Sequence, residues 1–130
     1  MLKALPIQLK EEQELICLRC GTEYDPDLLA YKITIDEELM GICQFKFTPD
    51  GASLRCLAHP IDKNDPQALF VLGRATLNYV DIYGVHRAFY DGKDAYEIGQ
   101  LLETIGFKKN STGRYEINLE HFFEHPCQHN

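Results

Sequence analysis

The stretch from residue 65 to residue 90 constrains the fold most, because it holds a well-bounded helix followed by a short strand. Asp65 is a suitable N-cap, and Pro66 suits the first helical position, where a missing N–H costs nothing. Helical spacing of apolar residues up to the stop at Gly84 predicts a helix over 66–83. Its expected buried stripe is Leu69, Leu72, Thr76, Tyr79, Val80 and Tyr83. Residues 85–90 are β-prone and bounded by turn residues, so they predict a strand.

A second helix is predicted directly after this strand. Asp94 and Glu97 have capping-box spacing, and an apolar stripe follows at helical periodicity. Gly106 then stops the helix, with the apolar Phe107 behind it. Helix, strand and helix in succession indicate a mixed sheet with helices packed on it.

The rest of the chain predicts one more helix and five more strands. The helix covers 10–20, and the strands cover 2–9, 29–35, 39–47, 52–58 and 113–119. The order is β-α-β-β-β-α-β-α-β, an α/β (α+β) class with a mixed, mostly antiparallel sheet flanked by helices. We expect a single domain over 1–119 and a polar C-terminal tail over 120–130.

Composition excludes several classes of protein. The 130 residues carry a net charge of −7 with scattered basic residues, which argues against nucleic-acid binding. The sequence contains no apolar run long enough for a membrane span and no secretory signal, so a cytoplasmic location is expected. Five cysteines without an export signal do not indicate a disulfide framework.

The element order resembles the GCN5-related N-acetyltransferase (GNAT) family. The features that carry the resemblance are the hairpin over 31–47, the strand that ends at His59-Pro60, the long helix over 66–83 and the segment Leu101-Leu102-Glu103-Thr104-Ile105-Gly106-Phe107. The family has a tyrosine-containing version of that last segment, which also ends in Gly-Phe. The resemblance implies a GNAT fold and acyl-CoA-dependent N-acyl transfer.

The loop expected to hold acetyl-CoA departs from the family pattern. The family binds the pyrophosphate with a glycine-rich loop at a helix N-terminus, where free N–H groups attract phosphate. The corresponding residues 59–68 contain no glycine and no arginine, and Asp62 and Asp65 add negative charge. The remaining candidates for contacts with the cofactor are Lys63, Asn64 and Gln67. Binding of acetyl-CoA is therefore expected to be atypical or lost.

The proton donor that the resemblance implies is also absent. The family's tyrosine lies four residues before the glycine, where this chain has Leu102. His59 and Cys56 end the strand beside the expected cofactor groove and are the candidate catalytic residues. Alternatively, Cys56 is a small buried hydrophobe and His59 an ordinary loop residue.

Cysteines and histidines suggest a zinc site. Cys17 and Cys20 have the CxxC spacing of a half-site, and the tail could complete a Cys₃His set. The tail candidates are Cys127 with His125 or His129. The alternative is that Cys17 and Cys20 share the buried face of the first helix, while the tail is solvated.

These observations predict an acetyltransferase-like domain in which acyl-CoA binding is atypical or lost, with an N-acyltransferase of unknown substrate as its enzymatic form. The alternative is a non-catalytic domain that binds a protein or a small ligand. Such a domain would be stabilised by a zinc ion or would dimerise through an edge strand. Whether the groove between the fourth and fifth strands is open should distinguish the two.

Overall fold

The computed structural model describes residues 1–124 and contains three helices and seven strands in that range. The elements are β1 (Leu2–Pro6), α1 (Lys10–Arg19), β2 (Leu29–Ile35), β3 (Glu38–Thr48), β4 (Gly51–Ala58), α2 (Pro66–Ile82), β5 (Arg87–Tyr90), α3 (Gly99–Ile105), β6 (Lys108–Lys109) and β7 (Tyr115–Asn118).

The seven strands form one sheet in the order β1-β2-β3-β4-β5-β7-β6. Neighbouring strands are antiparallel except β4 and β5, which are parallel because α2 carries the chain back between them. The α/β class and the mostly antiparallel sheet are confirmed. The domain boundary at 119 stays a prediction, although Phe122 and Phe123 pack against the core beyond it.

The helices divide between the two faces of the sheet. The main core lies under α2 and α3, and Leu72, Leu77, Val80 and Leu102 are fully buried there. Gly41 lets α2 approach the sheet, because a Cβ at this position would lie 2.7 Å from Leu69 Cδ2. On the other face, α1 and its C-terminal end cover a smaller cluster that includes Ile16, Cys17 and Cys20.

Three local expectations are wrong. Tyr83 is not buried in the α2 stripe; it is 64% exposed and stacks on Phe47 at the end of the helix. Residues 108–109, which none of the predicted strands covers, pair with β7 as β6. The second predicted helix starts four residues late, with Ile98 as its N-cap in place of Asp94, because the Asp94 side chain accepts a hydrogen bond from Tyr90 and does not cap the helix.

In the described part of the chain, none of the helices combines the length and the apolar character that a membrane span needs.

Candidate functional site

The β4 and β5 strands separate after only three paired residues. Ala52, Ser53 and Leu54 pair with Ala88, Phe89 and Tyr90. One more backbone bond, from Asp91 N to Leu54 O at 2.7 Å, ends the contact. Residues 55–58 of β4 continue past the end of β5, beginning with Arg55, which is the extra residue where the β3–β4 register shifts. The groove between the fourth and fifth strands is therefore open, and we call it the β4–β5 cleft.

A cavity of about 490 Å³ lies at this cleft. Its walls come from the end of α1 and the following loop, from β3 and β4, and from the segment after β5. The lining residues are Cys20, Gly21, Thr22, Glu23, Asp25, Leu28, Gln44, Arg55, Cys56, Ala58, Asp91, Lys93 and Asp94. The volume lies within the range of small-molecule sites.

Asp91, at the mouth of the cleft, is held as an anion. Arg114 Nε and Nη2 donate to its two carboxylate oxygens at 2.7 and 2.8 Å, and Ser53 Oγ donates as well. Burial alone would raise the pKa of Asp91, but the hydrogen bonds from Arg114 and Ser53 outweigh it and lower the pKa. Arg114 is itself oriented over the Phe89 ring, with its Cζ 3.7 Å from the ring centroid.

The pKa of Asp94, three residues after Asp91 in the chain, is shifted in the opposite direction. Burial raises its pKa, and the hydrogen bond from Tyr90 offsets this only in part. Tyr90 Oη donates to Asp94 Oδ1 at 2.6 Å, from a side chain that is 2% exposed. Gly92 makes the pairing possible, because a Cβ there would lie 2.6 Å from Tyr90 Oη and 2.7 Å from Asp94 Oδ1.

The cleft thus contains two neighbouring carboxyl groups whose pKa values shift in opposite directions. Such pairs are typical of sites where one group stays charged while the other exchanges protons. Sequence reasoning missed both residues, because it treated Asp91 as a turn residue and Asp94 as a helix cap. The available signal was their position directly after β5, the strand that borders the groove.

The start of α2 does not present free amides to a phosphate. Asp65 Oδ1 accepts from the N–H groups of Gln67 and Ala68 at 3.1 Å each, and Pro66 contributes no N–H. The three predicted cofactor contacts do not line the cavity: Lys63 Nζ lies 3.0 Å from the Glu38 carboxylate, and Asn64 and Gln67 are exposed beside the cap.

The predicted catalytic candidates occupy different environments. Cys56 lines the cavity, where burial raises the pKa of its thiol and Gln44 Nε2 donates to Sγ at 3.4 Å. His59 is half-buried outside the lining, with Nδ1 2.6 Å from the Pro60 carbonyl oxygen. Leu102 is fully buried in the main core, so no proton donor stands at that position.

The predicted zinc half-site is buried beside the cavity. Burial raises the pKa of Cys17 and of Cys20 to about 12, which keeps both thiols neutral. Residues 1–124 contain no group of three or more histidine, cysteine, aspartate or glutamate side chains placed to bind a metal. The other three candidates, His125, Cys127 and His129, lie outside the described residues. The described structure therefore gives zinc binding no support.

Comparison with known proteins bears on the fold. No family model matches the chain, and none of the curated proteins matches its sequence. An acetyltransferase candidate of the GNAT family from Desulfovibrio desulfuricans is similar in structure, with a TM-score of 0.72 and 13% identity over 92% of this chain and 99% of that one. An acetyltransferase from Bacillus subtilis, solved in complex with CoA, has a TM-score of 0.71 and 13% identity, with coverage of 92% and 99%.

The N-acetyltransferase from Thermoplasma acidophilum, solved in complex with coenzyme A, has a TM-score of 0.69 and 12% identity. The match covers 91% of this chain and 99% of that one. These similarities extend over nearly the whole length of both chains. The chain has the fold of the GNAT acetyltransferases.

Proposed function

We propose that this chain is an N-acyltransferase that receives the thioester arm of an acyl donor in the β4–β5 cleft, with little contribution from the diphosphate of coenzyme A. The separation of β4 from β5 is the observation that carries this proposal, because it opens a cavity of ligand size where two acidic groups with different pKa values meet. Two of the similar structures were solved with coenzyme A bound, which supports a thioester donor.

The backbone of β4 supports binding of an extended arm. Beyond Leu54, β5 no longer pairs with this edge of β4, so its polar groups face the cleft. An unpaired strand edge is a template for an extended ligand with its own amides. The pantetheine arm of coenzyme A contains two such amides.

The charge around the site supports weak binding of the diphosphate. The Asp65 carboxylate already satisfies two amides at the start of α2, the place where a helix would hold a phosphate. The cavity lining carries four carboxyl groups against one arginine and one lysine, which favours a cationic occupant such as an amine over an anionic one.

Comparison of two donors by thermal shift tests this proposal. Acetyl-pantetheine has the thioester arm without the diphosphate and nucleotide of acetyl-CoA. We expect both donors to stabilise the protein, with dissociation constants within about threefold of each other, a difference below about 0.7 kcal/mol. At 100 times its dissociation constant, either donor should add about 2.7 kcal/mol to the free energy of unfolding.

Two results would contradict the proposal. Much tighter binding of acetyl-CoA would mean that the protein does hold the diphosphate. Stabilisation by neither donor at millimolar concentration would mean that the cleft does not receive the thioester arm.

A non-catalytic domain that binds a protein or a small ligand is the second candidate. The capped start of α2 and the buried Leu102 favour it, because both remove family features that serve catalysis. Mass spectrometry of primary amines incubated with the protein and acetyl-pantetheine separates the two candidates. Amide product above the uncatalysed level supports the enzyme, and binding without product supports the second candidate.

A further inference from the structure

We propose that Asp94 is the catalytic residue that takes up and returns the proton during acyl transfer, and that the buried Tyr90 is its positioning residue. This inference rests on the proposed function and assigns a specific group to the proton transfer. The resemblance to the family implied a tyrosine that donates the proton to the leaving thiolate, but its position is taken by Leu102, which is fully buried in the main core.

Tyr90 and the wall of the cavity fix the position of the Asp94 carboxyl group. Oδ1 accepts from Tyr90 Oη at 2.6 Å, and Gly92 leaves the space that this contact needs. In the described part of the chain, no other side chain hydrogen-bonds to Asp94, which lines the cavity. A carboxylate that is held at one oxygen by a buried hydroxyl and lines a ligand cavity has the arrangement of a general base.

Two neighbouring titratable groups of the cavity are less suited to this role. Asp91 is occupied on both oxygens by Arg114, and its pKa is lowered. The thiol pKa of Cys56 is raised by burial, so this group stays protonated at neutral pH. Asp94 has a raised pKa, closer to neutral pH, and this increases the efficiency of proton transfer at neutral pH.

Asp94 can carry out both proton transfers that acyl transfer to an amine requires. One Asp94 oxygen accepts a proton from the substrate ammonium group, and the resulting amine attacks the thioester carbonyl carbon. The new C–N bond forms, and the C–S bond breaks with its electron pair on sulfur. Asp94 returns its proton to the thiolate, and the amide nitrogen releases its second proton to solvent. The products are an amide, a free thiol and one proton.

Several charged or titratable groups surround Asp94 and bear on its pH dependence. Tyr90 on β5, Cys43 on β3 and Cys56 on β4 have raised pKa values and are neutral in the relevant range. Glu97 in the same segment adds a negative charge, which raises the pKa of Asp94 further. The remaining charged groups of the cavity lining are Glu23, Asp25, Arg55, Asp91 and Lys93.

Kinetics of the full chain with acetyl-pantetheine and a primary amine test the proposal. We expect Asp94→Asn to lower kcat by about 10²- to 10⁴-fold while the thermal shift with acetyl-pantetheine stays unchanged. Tyr90→Phe removes the hydrogen bond that favours the charged form, so the acidic limb of the pH–rate profile should move to higher pH. Glu103→Gln, on the exposed face of α3, is the matched control and should keep the original profile.

Nuclear magnetic resonance titration of ¹³C-labelled aspartate carboxyl groups gives a readout that needs no turnover. The Asp94 resonance should titrate above the ordinary aspartate range, and Tyr90→Phe should move it higher still. A kcat within twofold of the unaltered protein for Asp94→Asn would overturn this assignment alone. No turnover by the unaltered protein would overturn this assignment together with the proposed function.

Discussion

Replacing Asp65 by serine should increase the affinity of the protein for acetyl-CoA. Asp65 Oδ1 lies 3.1 Å from the N–H nitrogens of Gln67 and Ala68, so a phosphate oxygen that used these amides would take its place. Serine caps a helix about as well as aspartate, so Asp65→Ser removes the charge and keeps a neutral cap. The variant therefore isolates the electrostatic contribution of one carboxylate.

The magnitude follows from Coulomb's law at a half-exposed site. Two like unit charges about 4.5 Å apart in water repel by about 0.9 kcal/mol, so a diphosphate with two charges gives about 2 kcal/mol. Screening at physiological salt, with a Debye length of about 8 Å, leaves about 1 kcal/mol. The dissociation constant of acetyl-CoA should then fall about fivefold, and by more at low salt.

Isothermal titration calorimetry with two ligands and two variants measures this effect. Acetyl-pantetheine has no diphosphate, so its affinity should be the same for the unaltered protein and for Asp65→Ser. Asp65→Ala removes the same charge but also the cap, so we expect it to cost an additional ~1 kcal/mol in the free energy of unfolding. Unchanged acetyl-CoA affinity at low salt would refute the view that this carboxylate disfavours the diphosphate.

Three further predictions concern stability, measured by denaturant unfolding. Gly41→Ala should cost about 1–3 kcal/mol, because the added Cβ would lie 2.7 Å from Leu69 Cδ2; an unchanged midpoint would contradict the close packing of α2. Leu72→Ala, at a fully buried position, should cost about 2–5 kcal/mol, and a loss below 1 kcal/mol would contradict its place in the core. Asp91→Asn should cost about 1–3 kcal/mol at pH 7, since it weakens the charged hydrogen bonds from Arg114. The pKa of Asp91 is lowered on folding, so this contribution is present above the unfolded pKa and should disappear as pH falls through the folded value.

Local signals in the sequence were sufficient for the order of the three helices and of every strand except β6. The Asp65-Pro66 start of α2 and the glycine stops at Gly84 and Gly106 depend on backbone chemistry within a few residues, which a sequence displays directly. The buried face of α1 followed from helical periodicity in the same way. These features required no knowledge of which strands pair.

The cleft residues depended on contacts that the sequence does not display. Arg114 stabilises the charged form of Asp91, and it lies within reach because β7 pairs with β5. Asp94 had a plausible local role as a helix cap, but the buried hydroxyl of Tyr90 competes for the same oxygen. Tertiary packing decides which group hydrogen-bonds to the Asp94 side chain. Residue spacing alone therefore predicted the wrong partner for it.

Buried apolar residues are divided unequally between the two faces of the sheet, and this division should affect how fast backbone amide hydrogens exchange with solvent. The cavity borders the smaller cluster, under α1, while α2 and α3 close the larger one. We expect amide hydrogens of α1 to exchange faster than those of α2, because fewer buried groups oppose local opening there. Local opening on the cavity side of the sheet should therefore leave the opposite layer folded.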